Sequence, residues 1–173
     1  MLEREIFDDE HEIFRGAARR YFEEEIAPFH EAWEDQGYVD RSAWLRAGEL
    51  GFLCATIDEK YGGAGADRRY SAVMVEEQAR AGTSGPGFML HSEIVAPYIQ
   101  RYGNEEQKST WLPKMCSGEV IAAIGMTEPG AGSDLQAMRT TAIRDGDELV
   151  INGSKIFITN GWNCDLLVLA CKT

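Results

Sequence analysis

Histidine and cysteine are scarce in this chain, numbering three and four among 173 residues. His11, His30 and His91 lie far apart and form no H-x-x-x-H pair, so a histidine-built metal site has no support. Cys54, Cys116, Cys164 and Cys171 make no C-x-x-C pair, and none has a histidine at ligand spacing. No metal is expected. Free thiols fit a reducing compartment, and the expectation is a cytoplasmic protein. Basic charge is short as well: 17 Lys and Arg stand against 29 Asp and Glu, a net charge of −12. Nucleic-acid backbones call for clustered basic side chains, so no nucleic-acid partner is expected. The acidic clusters EREIFDDEHE and FEEEIAP read as solvated helix faces. No apolar run is long enough to cross a bilayer, and MLEREIF shows no basic region followed by an apolar core.

What is present is an ordinary globular composition, 44% apolar and 27% charged. The length allows one domain or two small ones. Up to about position 118, helical spacing dominates. Ile13, Phe14, Ala17, Ala18, Tyr21, Phe22 and Ile26 recur at three- and four-residue steps, with a start signal at Asp9 and Glu12 and a stop at Pro28. Asp40 caps a second helix over 41–50, ended by Gly51. DEKYGGAGAD reads as a glycine-rich loop. RRYSAVMVEEQARAG and GFMLHSEIVAPYIQRYG are helical, the latter kinked or divided at Pro97 and closed by Gly103. Asn104 with Gln107 forms a capping box for the next helix.

From residue 119 the signals are those of strands. VIAAIGM is a short apolar run, and three turn pairs follow: Asp145-Gly146, Asn152-Gly153 and Asn160-Gly161. Such pairs favour tight hairpins, so an antiparallel meander is predicted. DLLVLACKT reads as a further strand whose edge needs a cover, either more of the same chain or a second one. The fold class is therefore α+β: an all-α bundle over 1–118, then an incomplete antiparallel β domain, barrel or sandwich, over 119–173.

GMTEPGAGSD, between strand and meander, concentrates glycines, hydroxyls and carboxylates. Gly130 and Gly132 allow close backbone approach to a ligand, and Thr127 and Ser133 flank them with hydroxyls. Asp134 reads as a turn cap. The stretch is not a G-x-G-x-x-G fingerprint and has no βαβ unit around it. A strand-to-loop corner and a pyrophosphate loop on an antiparallel sheet are both open on these residues alone.

The order AIGMTEPGAGSDLQAM and then INGSKIFITNG resembles the acyl-CoA dehydrogenase family. The YGG loop at Tyr61–Gly63 and the EEQ helix agree with it, and SGPGFMLHSEIV looks most like the long-chain members. The resemblance covers essentially the whole chain. It implies an FAD-dependent α,β-dehydrogenation of fatty acyl-CoA thioesters within β-oxidation, with electrons passed to an electron-transfer flavoprotein and a homotetrameric assembly. It implies that Met126 and Thr127 lie beside the flavin ring and that Gly132 and Ser133 lie along its ribityl and pyrophosphate portion, Ser133 also near the thioester substrate. Phe157, Ile158 and Thr159 would flank the flavin from the second block. Family members often carry Trp where this chain has Phe157, so an aromatic face is kept and an indole N–H lost. The usual Pro before EEYGG is missing in IDEKYGG. The family's general base is a glutamate in a C-terminal helical domain that these residues do not include, so no catalytic residue is assigned. Glu128, beside Pro129, reads as structural. A flavin oxidase or monooxygenase of the same architecture, and a non-catalytic subunit that binds a partner chain, are the alternatives.

Overall fold

The structure is a computed structural model that describes residues 5–173; the reading of MLEREIF falls mostly on residues outside these. Helix α1, Asp9–Arg20, is capped by Asp8, one residue earlier than predicted. Asp8 accepts from the N3 backbone, while the ring of His11 accepts from the Asp8 N–H. Ala18, Tyr21, Phe22 and Ile26 are buried as the spacing requires, but Ile13 is exposed.

Pro28 does not stop the helix. A proline inside an α-helix lacks a donor, and its ring meets the carbonyl four residues back. Here Tyr21–Ile26 widen into π-helical turns, which shift that carbonyl aside, and the chain continues as α2, Ala27–Gln36. Gly37, at φ +84°, ends it. The same solution recurs at Pro97: π-helical turns over Leu90–Val95 lead into α5, Ala96–Tyr102. Before that segment come α3, Arg41–Glu49, behind Asp40, and α4, Arg68–Arg80, whose N-cap Asp67 accepts from the Arg69 N–H. Asn104 and Gln107 form the predicted capping box of α6, Glu105–Cys116.

The bundle interior is filled by Trp44, Tyr21, Phe22, Ile57, Leu112 and Met115, and Trp44 meets the Phe88 ring edge-on at 4.7 Å. The first strand enters that same core. Val120, Ile121 and Ala122 pack within it, so β1, Ala122–Gly125, begins on the helices rather than beyond them.

The division into helices and then strands holds, but the strand part is less regular than its turn signals predict. β2, Thr141–Asp145, and β3, Glu148–Asn152, form one antiparallel hairpin closed by Gly146 and Asp147. The Asn152-Gly153 and Asn160-Gly161 pairs close no further hairpin. Instead β4, Leu166–Leu169, runs parallel to β1, with Ala122 opposite Leu166 and Gly125 opposite Leu169. Two strands in parallel need a long crossover, and the stretch containing the loop and the β2–β3 hairpin is that crossover.

Candidate functional site

The two sequence blocks meet at the end of β1. After Gly125 the chain turns through Met126 and Thr127, then folds back on itself at Glu128 and Ala131. The Glu128 N–H donates to the Ala131 carbonyl at 2.8 Å, and the Ala131 N–H returns the bond at 3.1 Å. From the second block, the Ile156 N–H donates to the Thr127 carbonyl at 3.0 Å, and the Lys155 ammonium to the Met126 carbonyl at 3.0 Å. Met126 and Thr127 are thus brought against the segment that carries Phe157, Ile158 and Thr159.

The buried carboxylate of Glu128 organises this junction. Oε1 accepts from the Thr140 hydroxyl at 2.5 Å, the Thr140 N–H at 2.9 Å and Lys155 Nζ at 2.9 Å; Oε2 accepts from the Arg139 N–H at 2.6 Å. The Thr140 hydroxyl, the Lys155 ammonium and the Arg139 amide hold this carboxyl well below the usual carboxylate range. A carboxylate so fully engaged is a poor proton acceptor. Its reading as structural, not catalytic, agrees with the geometry.

The second block is pinned to the helical part by side-chain amides. Asn160 Nδ2 donates to the Gly87 and Ala122 carbonyls at 3.2 and 3.0 Å, and Asn163 Nδ2 to the Val39 carbonyl at 3.0 Å. A side chain at Gly87 would collide with Asn160 and Thr159, which explains glycine there. Asn160 and Phe157 have φ of +64° and +56°. Asparagine tolerates that region, but for a bulky aromatic it is unfavourable. Phe157 is also 88% exposed, so its strained backbone projects the ring away from the protein's own core.

Gly132 and Ser133 are exposed beyond the Glu128–Ala131 bridge, and among the described residues no backbone hydrogen bond joins them to residues 157–159. Asp134 caps the short turn Leu135–Ala137 by accepting from the Gln136 N–H at 3.2 Å, the structural part predicted for it. Among the described residues, no bond engages the N–H or the hydroxyl of Thr127, nor the hydroxyl of Ser133, while the Thr127 carbonyl is taken. These donors face a ligand or solvent. Also among the described residues, no cluster of His, Cys, Asp or Glu is placed to hold a metal, all four cysteines are free thiols, and no helix is long and apolar enough to cross a membrane.

Two residues outside the predicted set fix the base of the site. His91 is fully buried, its Nε2–H donating to the Met115 carbonyl at 3.0 Å while Nδ1 accepts from the Ala122 N–H at 3.1 Å. Burial pushes its pKa down to about 4, which keeps the ring neutral. Asp165 accepts from the Ile121 N–H at 2.8 Å and pairs with the Arg41 guanidinium, tying β1 to α3. Sequence reasoning also passed over Lys155 and Thr140. One signal was available: Glu128 is the one charged residue between Glu119 and Asp134, and Lys155 the one between Glu148 and Asp165. Lone opposite charges in otherwise neutral stretches are candidates for a buried pair.

Residues 8–119 match the acyl-CoA dehydrogenase N-terminal domain, and residues 123–173 the acyl-CoA dehydrogenase middle domain. The chain is 52% identical to the long-chain specific acyl-CoA dehydrogenase, mitochondrial, of Rattus norvegicus over 170 residues, which is 98% of this chain and 40% of that one. The crystal structure of an acyl-CoA dehydrogenase from Geobacillus kaustophilus superposes with a TM-score of 0.94 at 53% identity, covering 99% of this chain and 45% of the other. An acyl-CoA dehydrogenase from Bacillus anthracis, solved in complex with FAD, gives 0.86 at 34% identity, covering 99% of this chain and 30% of that one. The chain therefore spans less than half the length of these relatives. The two domain matches and the identity over nearly every residue show that this chain belongs to the acyl-CoA dehydrogenase family.

Proposed function

We propose that this chain supplies one wall of the FAD site and part of the acyl-CoA site of an acyl-CoA dehydrogenase acting on long-chain thioesters. The observation that carries the reading is Thr127: its carbonyl is fixed from the second block while its N–H and hydroxyl remain unengaged, beside a strained and outward-facing Phe157. Such free donors fit the polar edge of a flavin ring, and the aromatic face fits its plane. Gly130 and Gly132 fit a phosphate-bearing portion, since a side chain added at either would meet nothing within 4 Å.

When bound, FAD would supply the hydride acceptor for α,β-dehydrogenation. Met126 and Thr127 would lie beside the ring, Phe157, Ile158 and Thr159 would flank it, and Gly132 with Ser133 would hold the ribityl and pyrophosphate portion. Ser133 would also lie near the thioester. Glu128, committed to Thr140, Arg139 and Lys155, is not suited to take the α-proton, and in this reading the base would lie outside these residues. The electrons would pass to an electron-transfer flavoprotein. A homotetramer, a cytoplasmic setting and a domain boundary at 118/119 belong to the same reading.

An anaerobic titration of the full-length protein with a long-chain acyl-CoA tests it, followed through the oxidised-flavin absorbance. Bleaching is the expected result. A flavin band that stays unchanged at saturating thioester would overturn the dehydrogenase reading, and a protein that carries no flavin would overturn the cofactor reading as well.

A further inference from the structure

We propose that Lys155 is a positioning residue for the flavin, holding the Met126–Thr127 peptide so that its free N–H faces the cofactor. The inference rests on the reading of Met126 and Thr127 as flavin neighbours. Its geometry is independent of that reading. The Lys155 ammonium donates to the Met126 carbonyl at 3.0 Å and to Glu128 Oε1 at 2.9 Å, with Met138 Sδ at 3.9 Å. The next residue, Ile156, takes the next carbonyl, that of Thr127, at 3.0 Å. Consecutive residues of the second block thus hold consecutive carbonyls of the first.

The consequence follows from peptide geometry. The Met126 C=O and the Thr127 N–H belong to one planar trans unit and point in opposite directions. Fixing the carbonyl toward Lys155 therefore aims the N–H at the opposite edge, where no described residue accepts it. A side chain of similar length without N–H donors, such as methionine, could fill the space but could not grip a carbonyl and a carboxylate together. An ammonium carries three rotatable donors on one compact charge, which suits three acceptors spread around it; the planar guanidinium fork suits them less well. Glu128 in turn is locked by Thr140 and Arg139, so the ammonium has little freedom to leave. Lys155 acts on the cofactor through the backbone it holds, never by contact.

The test uses the full-length protein with three readouts: FAD affinity by titration into apoprotein, the absorption spectrum of the bound flavin, and thermal stability. Lys155→Met is expected to weaken FAD binding roughly tenfold, the scale of losing one charge-assisted hydrogen bond, and to shift the flavin band. Lys155→Arg is expected to recover part of both. A Lys155→Met protein that loses stability but keeps wild-type FAD affinity and spectrum would overturn the proposal and leave the proposed function standing. If that variant fails to fold because Glu128 is left uncompensated, the pair Glu128→Gln with Lys155→Met removes the stranded charge while still lacking the grip on Met126. The same weakening and band shift are expected of it, and wild-type flavin binding by it would overturn the proposal. A wild-type protein that binds no FAD would overturn both readings.

Discussion

The helical and strand parts of this chain bury their apolar side chains to very different degrees. In the bundle, Trp44, Phe22, Ile26 and Leu112 have no exposed surface, and helices α1 and α4 are clamped by Arg15 and Arg19 on the buried Glu77. In the β2–β3 hairpin, Ile143 is 62% exposed and all five residues of β3 face outward to some degree. The bundle closes on itself by packing helices that are far apart in the chain, α1 on α4 and Trp44 on Phe88. A two-stranded hairpin has no second layer of its own and is marginal in water. Order in the strand part comes instead from isolated polar anchors: the buried His91 and Glu128–Lys155 pair, the half-buried Asn160 and the more exposed Asp165. Hydrophobic area stabilises one region, and a few directed polar contacts position the other.

The largest test of that contrast is a pair of truncations. Trp44→Ala is expected to cost about 3–5 kcal/mol, the range for emptying a filled aromatic site, whereas Leu149→Ala on β3 is expected to change stability by less than about 0.5 kcal/mol. Denaturant unfolding of both variants reads the difference, and equal losses would erase the distinction.

Next is acid. His91 has its folded pKa at about 4, below the ordinary 6.5. The unfolded chain therefore binds more protons between those values, and stability falls as pH drops through that window. The loss reaches about 3 kcal/mol by pH 4. His91→Gln is expected to lower stability at pH 7 but to flatten this slope, measured by thermal melts at pH 7, 6, 5 and 4. A slope retained in the variant would show that His91 is not its source.

Smaller effects follow. Gly146 sits at φ +62° in the hairpin loop, so Gly146→Ala is expected to cost about 1 kcal/mol, seen as faster hydrogen exchange across residues 141–152. Arg41→Ala breaks an ion pair that is largely solvent-exposed and is expected to cost no more than about 0.5 kcal/mol. Asp165→Ala is expected to cost more than that, because it also strands the Ile121 N–H.

Much of the bundle was legible because its signals are local. The Asn104–Gln107 box and the Gly51 stop each act within one helical turn, and Asp40 stands at the N-cap position of α3 without a side-chain capping bond. In the strand part, VIAAIGM and DLLVLACKT do hold strands and the turn signal holds at the hairpin closed by Gly146, but the parallel pairing of β1 with β4 was not legible. Asn152-Gly153 and Asn160-Gly161 have the same composition but different uses. A side chain at Gly153 would strike Thr140, and Asn160 spends its amide on Gly87 and Ala122. These residues serve approaches from far along the chain, which adjacent sequence does not announce. The two blocks of the site were readable as blocks. That Lys155 and Glu128 join them was not read, and its one signal is the lone charge each places in an otherwise neutral stretch.

The widened turns ahead of Pro28 and Pro97 carry a consequence for the spacing of the chain. Each is followed by Ala-Pro, after Ile26 in one case and Val95 in the other. A π-helical turn holds, in effect, one residue more than an α-turn, and one residue is about 100° of rotation around a helix. Removing a single residue from 21–26 would therefore swing everything downstream in α2 by that angle. Trp33, now buried against the bundle, would face water, while Pro28 would lose the space made for its ring. The extra residue works as an angular spacer, and the chain's length at these two corners is as much a determinant of the core as the identity of any side chain in it.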